Sequence, residues 1–154
     1  MAENVVDRVR KCTEKLREVL GGELLGLVLF GSWARGEGRE GSDVDVLVVL
    51  RSSGGFEVRS TVYRTLSRCI GRALTLVDAR AGELFSGEVV LTPLLLNILV
   101  DGVVVYDETG KLSELASKAR ELVKAAGLVR YRTPDGKYGW RRADGRPLEP
   151  VKWP

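Results

Sequence analysis

Two apolar runs constrain the fold of this chain more than any other feature. Residues 24–30 are apolar throughout, and residues 44–50 are apolar except for Asp45. Runs of this length in which neighbouring positions are both apolar are typical of strands covered on both faces. The sequence therefore predicts central strands inside a sheet, and the residues that directly follow or open these strands are the candidates for chemistry.

A Gly-Ser turn follows the first run. Gly31 ends the strand, and Ser32 is a favoured helix N-cap residue, so a short helix is predicted over residues 33–37. A helix N-terminus that opens behind a glycine presents free backbone N–H groups and the positive end of the helix dipole, which suits phosphate. Gly31 and Ser32 are therefore predicted phosphate-binding residues.

Two acidic residues open the second run. Asp43 and Asp45 are two positions apart, so on a strand they share one face and lie roughly 7 Å apart. Such a pair can hold two metal ions about 3.5–4 Å apart, and Mg²⁺ prefers carboxylate and phosphate oxygens. Asp78, at the end of the apolar run 74–77, is the predicted third acid. The order of turn, acid pair and later acid favours transfer of a nucleotidyl group.

These motifs resemble a known family. Gly-Ser-x-Ala-Arg-Gly at residues 31–36, Ser-Asp-x-Asp at residues 42–45 and a later strand Asp are similar to the DNA polymerase β-like nucleotidyltransferase superfamily. Within it, the chain resembles the minimal nucleotidyltransferases that are paired with HEPN-domain toxins. The resemblance covers about residues 20–107 and implies an α/β (α+β) nucleotidyltransferase fold, with a mixed β-sheet flanked by helices.

The resemblance also implies roles for individual residues. Asp43 and Asp45 would ligate two Mg²⁺ ions, while Asp78 would complete one of them and act as base near the attacking hydroxyl. The β- and γ-phosphates would lie at Gly31 and Ser32, and Arg35 would face phosphate or a partner. The full nucleotide-binding set is Gly31, Ser32, Arg35 and Ser42. No motif position departs from the family pattern.

Composition narrows the class of protein. A chain of 154 residues with 44% hydrophobic and 29% charged residues fits one globular domain. We expect no membrane helix and no secretory leader, since no apolar run reaches the ~20 residues of a span. The chain lacks histidine, which excludes Ser-His-Asp and Cys-His catalysis and leaves the acids as candidate bases.

The cysteine and arginine contents bear on the redox compartment and on the type of source organism. Cys12 and Cys69 form no CxxC motif, so a zinc site is not expected and cytoplasmic, reduced thiols are the default prediction. Glutamine is absent and arginine outnumbers lysine 17 to 7. This favours a thermophilic source, although a GC-rich genome would also enrich arginine.

The remaining segments alternate between helical and extended patterns. Apolar residues recur at helical spacing over residues 3–20 and 110–126. Residues 57–71 are predicted as an arginine-bearing helix, and Thr92 with Pro93 predicts a further helix to about residue 100. Strands are predicted over residues 73–78 and, at a sheet edge, over residues 103–106. Residues 80–87 are predicted as a loop or weak helix.

The C-terminal residues differ from the rest. Residues 128–154 contain seven basic and three acidic residues, so the net charge of this segment is more positive than the +3 of the whole chain. We predict a nucleotidyltransferase domain over residues 1–127 and a basic, aromatic extension over residues 128–154, with a hairpin around the turn at residues 133–136. Its aromatic residues either cover the core or stack on RNA or a nucleotide.

The sequence therefore favours a Mg²⁺-dependent nucleotidyltransferase that moves a nucleoside monophosphate from an NTP, with AMP from ATP preferred, to a hydroxyl. A HEPN-type toxin is the preferred acceptor, and the chain would then act as an antitoxin. Transfer to a small molecule or an RNA end is an alternative within the same enzyme class. The alternative from another class is a non-catalytic antitoxin that masks its partner.

Overall fold

The computed structural model describes residues 4–87, 90–147 and 151–152. The helices are α1 (Val5–Leu20), α2 (Phe56–Ile70), α3 (Ala81–Leu84), α4 (Pro93–Asp101) and α5 (Lys111–Ala125). The strands are β1 (Leu24–Phe30), β2 (Val44–Leu50), β3 (Leu74–Arg80), β4 (Val90–Leu91), β5 (Val103–Asp107), β6 (Leu128–Arg132), β7 (Tyr138–Arg142) and β8 (Val151–Lys152).

The central feature is a mixed four-stranded sheet in the order β3-β2-β1-β5. Strand β1 pairs antiparallel with both β2 and β5, while β2 and β3 run parallel. The two inner strands are β1 and β2, and all their residues except Asp45 are buried, as the apolar runs predict. The predicted mixed sheet flanked by helices is confirmed.

Each face of the sheet has its own apolar core. Helices α1 and α2 cover one face, where alternate β2 residues such as Val46 and Val48 are buried. Helices α3, α4 and α5 cover the other face with Leu47 and Val49 of β2, and we call it the α4 face. Because strand side chains alternate between faces, odd-numbered positions of β2 and β3 belong to the α4 face.

Local signals explain where the helices begin. The Asn4 side chain accepts a hydrogen bond from the backbone N–H of Val6 at 2.8 Å and caps α1. Thr92 caps α4 in the same way, with Pro93 in the first turn, as predicted. Residues 81–84 form one short helix within the segment predicted as a loop or weak helix. Among the described residues, no helix is long and apolar enough to cross a membrane.

Two sequence predictions are wrong: the short helix after Gly31 and the reduced state of the two cysteines. The predicted helix over residues 33–37 is absent, and residues 32–36 form turns: the N–H groups of Ala34 and Arg35 share the Gly31 carbonyl, and the Glu37 N–H donates to the Ser32 carbonyl five residues back, so the hydrogen bonds have mixed spacing instead of the regular i→i−4 series of a helix. The two cysteines are not reduced thiols in this structure: Cys12 and Cys69 form a disulfide across a Cα–Cα distance of 5.6 Å. They meet because α1 and α2 pack side by side on the same face of the sheet.

The C-terminal hairpin packs against the α4 face. Strands β6 and β7 pair antiparallel, and Trp140 is buried in the core of that face. The Trp140 Nε1–H donates a hydrogen bond to Asn97 Oδ1 at 2.9 Å, and Arg130 forms an ion pair with Asp101. The predicted hairpin is present, and Trp140 follows the first of the two alternatives for the aromatic residues, covering the core. Trp153, another aromatic residue of the extension, lies outside the described residues.

Candidate active site

The Gly-Ser turn and the acid pair are brought together by strand pairing. Phe30, the last residue of β1, lies opposite Asp45 of β2, so the turn that begins at Gly31 sits beside the start of β2. Gly31 has a positive φ of 75°. A side-chain carbon at residue 31 would overlap the Asp45 carboxylate. Glycine is therefore needed here both for its backbone conformation and for the space that Asp45 occupies.

Asp43 and Asp45 form the acidic centre of the site. Asp43 is exposed and Asp45 is half-buried on the α4 face. Burial raises the pKa of Asp45 most, and the charge of Asp43 raises it further. A hydrogen bond from Thr75 and the charge of Arg35 lower it but do not outweigh burial, so the net direction is upward. The negative charge of the ionised pair is thus only partly compensated by its neighbours, and a bound divalent cation would stabilise it.

Thr75 occupies the position beside Asp45 on the neighbouring strand. The parallel register pairs Asp45 with Thr75, and Thr75 Oγ1 donates a hydrogen bond to Asp43 Oδ2 at 3.3 Å. Finding this residue from the sequence requires the β2–β3 register, which no local pattern reveals. The site therefore contains two carboxylates and a hydroxyl.

The structure does not bring Asp78 to this site, which corrects its prediction as third ligand and base. Asp78 pairs with Val48, three positions along β3 from Thr75, so it lies roughly 10 Å further along the strand and on the opposite face. There it forms ion pairs with Arg59 and with Arg80, the latter at 2.7 Å. Burial raises the pKa of Asp78, but the two arginines outweigh this effect and hold it below its usual value.

The two remaining carboxylates still fit Mg²⁺. Among the described residues, no group of three acidic, cysteine or histidine side chains is arranged to hold a metal ion. Mg²⁺ in nucleotide enzymes is commonly held by one or two carboxylates, with substrate phosphates and water completing its shell. Asp43 and Asp45 match that donor set, so their chemistry suits a metal that arrives with a triphosphate.

The predicted nucleotide-binding residues line the loop between the turn and the acids. The Ser32 carbonyl accepts a hydrogen bond from the Glu37 N–H, while Ser42 Oγ accepts one from the Arg39 N–H. The Trp33 Nε1–H donates to the Ser42 carbonyl at 3.2 Å and folds the loop back toward β2. Ser32 and Ser42 thus lie at the two ends of one closed loop.

Arg35 is held by residues far away in sequence. Its Nε lies 2.7 Å from the Glu37 carboxylate, and its guanidinium stacks over the Tyr138 ring at 4.3 Å. The Tyr138 hydroxyl donates to Glu37 at 3.0 Å, which ties β7 to the same loop. Side-chain hydrogen bonds from Arg35 and Tyr138 lower the pKa of Glu37. Sequence reasoning missed this contact because 101 residues separate Glu37 and Tyr138.

Comparison with known proteins gives similarities to a curated relative, to solved structures and to a family model. A curated relative from Methanocaldococcus jannaschii (strain ATCC 43067 / DSM 2661 / JAL-1 / JCM 10045 / NBRC 100440), named "Putative protein adenylyltransferase MJ1305", is 29% identical over 152 residues, covering 94% of this chain and 96% of that protein. A chain in the crystal structure of a toxin-antitoxin with AMP-PNP has a TM-score of 0.54 and 20% identity, covering 75% of this chain and 87% of that one.

A second structural neighbour comes from the complex of the tri-AMPylated Shewanella oneidensis HEPN toxin with its MNT antitoxin. It has a TM-score of 0.50 and 17% identity over 78% of this chain and 87% of that chain. At these identities the two structures support the fold. The family model for the nucleotidyltransferase domain matches residues 8–84, which include the turn and both acids. This chain therefore belongs to the nucleotidyltransferase domain family and is a nucleotidyltransferase.

Proposed function

We propose that this protein is a Mg²⁺-dependent adenylyltransferase that transfers AMP from ATP to a hydroxyl group of a protein partner. The partner we propose is a HEPN-type toxin, which the transfer would neutralise. The observation that carries the proposal is the under-compensated pair Asp43 and Asp45 beside the Gly31 turn. Such a pair suits a metal-bound triphosphate, since the phosphates supply the remaining oxygen ligands.

The reaction places distinct demands on the residues. The acceptor oxygen forms a bond to the α-phosphorus of ATP, the bond from that phosphorus to the bridging oxygen breaks, and pyrophosphate leaves with the bonding electron pair. Bound Mg²⁺ would neutralise phosphate charge and favour the attacking oxygen. Asp43 and Asp45 would hold the metal, whether one ion or two, and Thr75 orients Asp43. With Asp78 on the other face, the acceptor proton has to leave through another group.

The nucleotide contacts are proposed from the same loop. Gly31 and Ser32 would approach the phosphates through their backbone, which the absence of a side chain at residue 31 permits. Arg35 and Ser42 belong to the proposed nucleotide-binding set because they lie at opposite parts of the loop that Trp33 closes. Arg35 is already neutralised by Glu37, so its contribution to phosphate binding would require this ion pair to loosen.

The choice of ATP and of a protein acceptor is supported by the relatives. The Methanocaldococcus jannaschii protein is named a protein adenylyltransferase and matches nearly the full length of this chain. The two structural neighbours come from toxin-antitoxin complexes, one with AMP-PNP and one with an AMPylated HEPN toxin. These proteins share the fold, and the proposal extends their stated chemistry to this chain.

The test is label transfer. The protein is incubated with Mg²⁺, the product of the adjacent gene and each of the four NTPs labelled at the α-phosphate, and the modified residue is mapped by mass spectrometry. We expect label from ATP on a hydroxyl of the partner, and none when EDTA replaces Mg²⁺. Label on added RNA or on a small molecule, with none on the partner, would instead identify the alternative acceptors.

The non-catalytic alternative has its own test. Binding without transfer would leave the partner inhibited when Asp45→Asn protein is added, whereas transfer predicts that the variant binds without lasting inhibition. The paired carboxylates disfavour masking alone, since clustered acids without a cation repel each other. RNA contact through residues 128–154 stays a separate prediction, and Tyr131, whose side chain is 42% exposed, is one aromatic residue available for it.

A further inference from the structure

A cavity of about 630 Å³ lies between the loop that follows the Gly-Ser turn and the C-terminal hairpin. Its lining residues are Gly36, Glu37, Gly38, Arg39, Ser42 and Arg132. Ser42 directly precedes Asp43 in the chain, so the cavity reaches the residue next to the acid pair, although the two carboxylates do not line it. Arg132 comes from the last position of β6, outside the segment that the family model matches.

The hairpin wall of this cavity is fixed to the loop. Tyr138 lies opposite Arg132 in the β6–β7 pairing, and its hydroxyl donates to both oxygens of Glu37 at 3.0 and 3.1 Å. Arg35 stacks on the same ring. Further along the hairpin, Arg130 is paired with Asp101 of α4. These contacts hold β6 at the cavity, and the Arg132 guanidinium itself lies over the Tyr138 ring at 5.5 Å, a contact that leaves its N–H groups available to another acceptor.

The charge of the cavity is positive. Glu37 is its one acidic lining residue, and Arg35 already compensates that charge at 2.7 Å. Arg132 lies 4.0 Å from Glu37, and its side chain is 62% exposed, so this contact is weak. Arg39 forms no ion pair with any residue that the structure describes. Two guanidinium groups with free donors thus face one cavity, and such groups suit phosphate oxygens.

We propose that Arg39 and Arg132 bind the β- and γ-phosphates of the nucleotide and the pyrophosphate that leaves after transfer. This inference rests on the proposed function and extends its nucleotide site to the hairpin. The bond from the α-phosphorus breaks toward this cavity, and the two arginines stabilise the charge that gathers on pyrophosphate. The C-terminal extension is then part of the nucleotide site as well as a cover for the core.

Calorimetric titration with pyrophosphate, ATP and AMP, each with Mg²⁺, tests this site. The variants are Arg39→Gln and Arg132→Gln, with Arg141→Gln as matched control, because Arg141 is an exposed arginine of the same hairpin outside the cavity. We expect the Kd for pyrophosphate and for ATP to rise about tenfold or more in each cavity variant, as for the loss of a charge-assisted hydrogen bond. AMP affinity and the Arg141→Gln values should match wild type.

The outcomes separate this proposal from the proposed function. Unchanged pyrophosphate and ATP affinity in both cavity variants overturns the phosphate site, while label transfer by the same preparations shows that the function stands. Loss of affinity for a short RNA, with pyrophosphate affinity unchanged, also overturns it and identifies a nucleic-acid contact. Failure of wild type to bind pyrophosphate overturns it too, and absence of label transfer would then remove the proposed function as well. Melting temperatures check that every variant is folded.

Discussion

Two acidic sites on opposite faces of β2 and β3 differ in how their charge is compensated. On the α4 face, Asp43 and Asp45 are compensated chiefly by the Thr75 hydroxyl, and burial raises the pKa of Asp45. On the other face, Asp78 lies between Arg59 and Arg80, which outweigh burial and lower its pKa. At the first site Arg35 acts on Asp45 only through its charge while it is ion-paired with Glu37, so the carboxylates can still take up a bound cation; at the second site two arginines are already ion-paired with Asp78.

This difference teaches how to distinguish a ligand site from a structural ion pair. Both sites contain aspartate at a strand position, so residue type and strand position do not separate them. The separation comes from the neighbours that the register and the helices provide. A carboxylate bound to two arginines would have to give up both before it could ligate a metal.

The largest expected effect is on transfer. Asp45→Asn should lower the rate of label transfer by at least ~100-fold, because a metal ion contributes several kcal/mol of transition-state stabilisation. Asp43→Asn should behave alike. Asp78→Asn is the matched control on the opposite face and should keep transfer within a few-fold of wild type once the variant is shown to be folded. Equal losses in Asp45→Asn and Asp78→Asn would erase the distinction between the two sites.

The second effect concerns the space beside Asp45. Gly31→Ala should lower both stability and transfer, because the positive φ costs about 1–2 kcal/mol and the new methyl displaces the Asp45 carboxylate. Gly145→Ala is the control: its φ of 77° is nearly the same as that of Gly31, and its surroundings are open. It should lose a similar amount of stability but no transfer activity. Chemical denaturation and the label assay measure the two quantities, and full activity in Gly31→Ala would contradict the packing of Asp45 against this glycine.

The third effect is on stability without metal. Asp78→Asn should reduce the free energy of unfolding by about 1 kcal/mol, because it removes the negative charge that pairs with Arg59 and Arg80. The loss is small because both ion pairs are partly exposed to solvent. Asp45→Asn should leave the free energy of unfolding unchanged or raise it, because it removes a half-buried charge beside Asp43. Urea denaturation in EDTA compares them. A stabilised Asp78→Asn variant would show that the arginines do not compensate that carboxylate.

The smallest effect is on pH dependence. The folded pKa of Asp78 is below its unfolded value near 3.8, so the unfolded state binds more protons and the contribution of Asp78 to stability is lost as pH falls below about 4. The pKa of Asp45 is raised, so its contribution has the opposite sign and is lost as pH rises above about 4. Relative to wild type in EDTA, Asp78→Asn should flatten the acid loss of stability and Asp45→Asn should steepen it. Shifts of the same sign in both variants would contradict the opposite pKa directions.

The sequence alone predicts strands β1 and β2 and the shared face of Asp43 and Asp45. The apolar runs of β1 and β2 are continuous, so their strands and their central place follow from residue type alone. The two-residue spacing of Asp43 and Asp45 places them on one face without knowledge of the fold. The position of Asp78 after an apolar run predicts only that it lies on a strand. Whether its side chain reaches Asp45 depends on the register of β2 and β3, and on whether Asp78 is an odd or even number of residues from the β3 residue paired with Asp45.

Contacts between distant segments are what the sequence could not predict. Thr75 meets Asp43 only through the parallel register of β2 and β3, and Arg35 meets Tyr138 only because the hairpin folds back over the α4 face. The turn after β1 was predicted as a helix, since Ser32 is a favoured cap. Two of the N–H groups in this turn, those of Ala34 and Arg35, donate to the Gly31 carbonyl and are not free for phosphate.

The most direct measurement of the central claim is the Mg²⁺ dependence of nucleotide binding. The ligand is α,β-methylene-ATP, in which a methylene group replaces the cleavable oxygen between the α- and β-phosphorus atoms. Calorimetry compares its Kd in Mg²⁺ with its Kd in EDTA for wild type, Asp45→Asn and Asp78→Asn. We predict that Mg²⁺ tightens binding about tenfold or more in wild type and in Asp78→Asn, and that this gain disappears in Asp45→Asn. A Mg²⁺ gain that persists in Asp45→Asn, or that is lost equally in Asp78→Asn, would contradict the assignment of the metal to the α4 face.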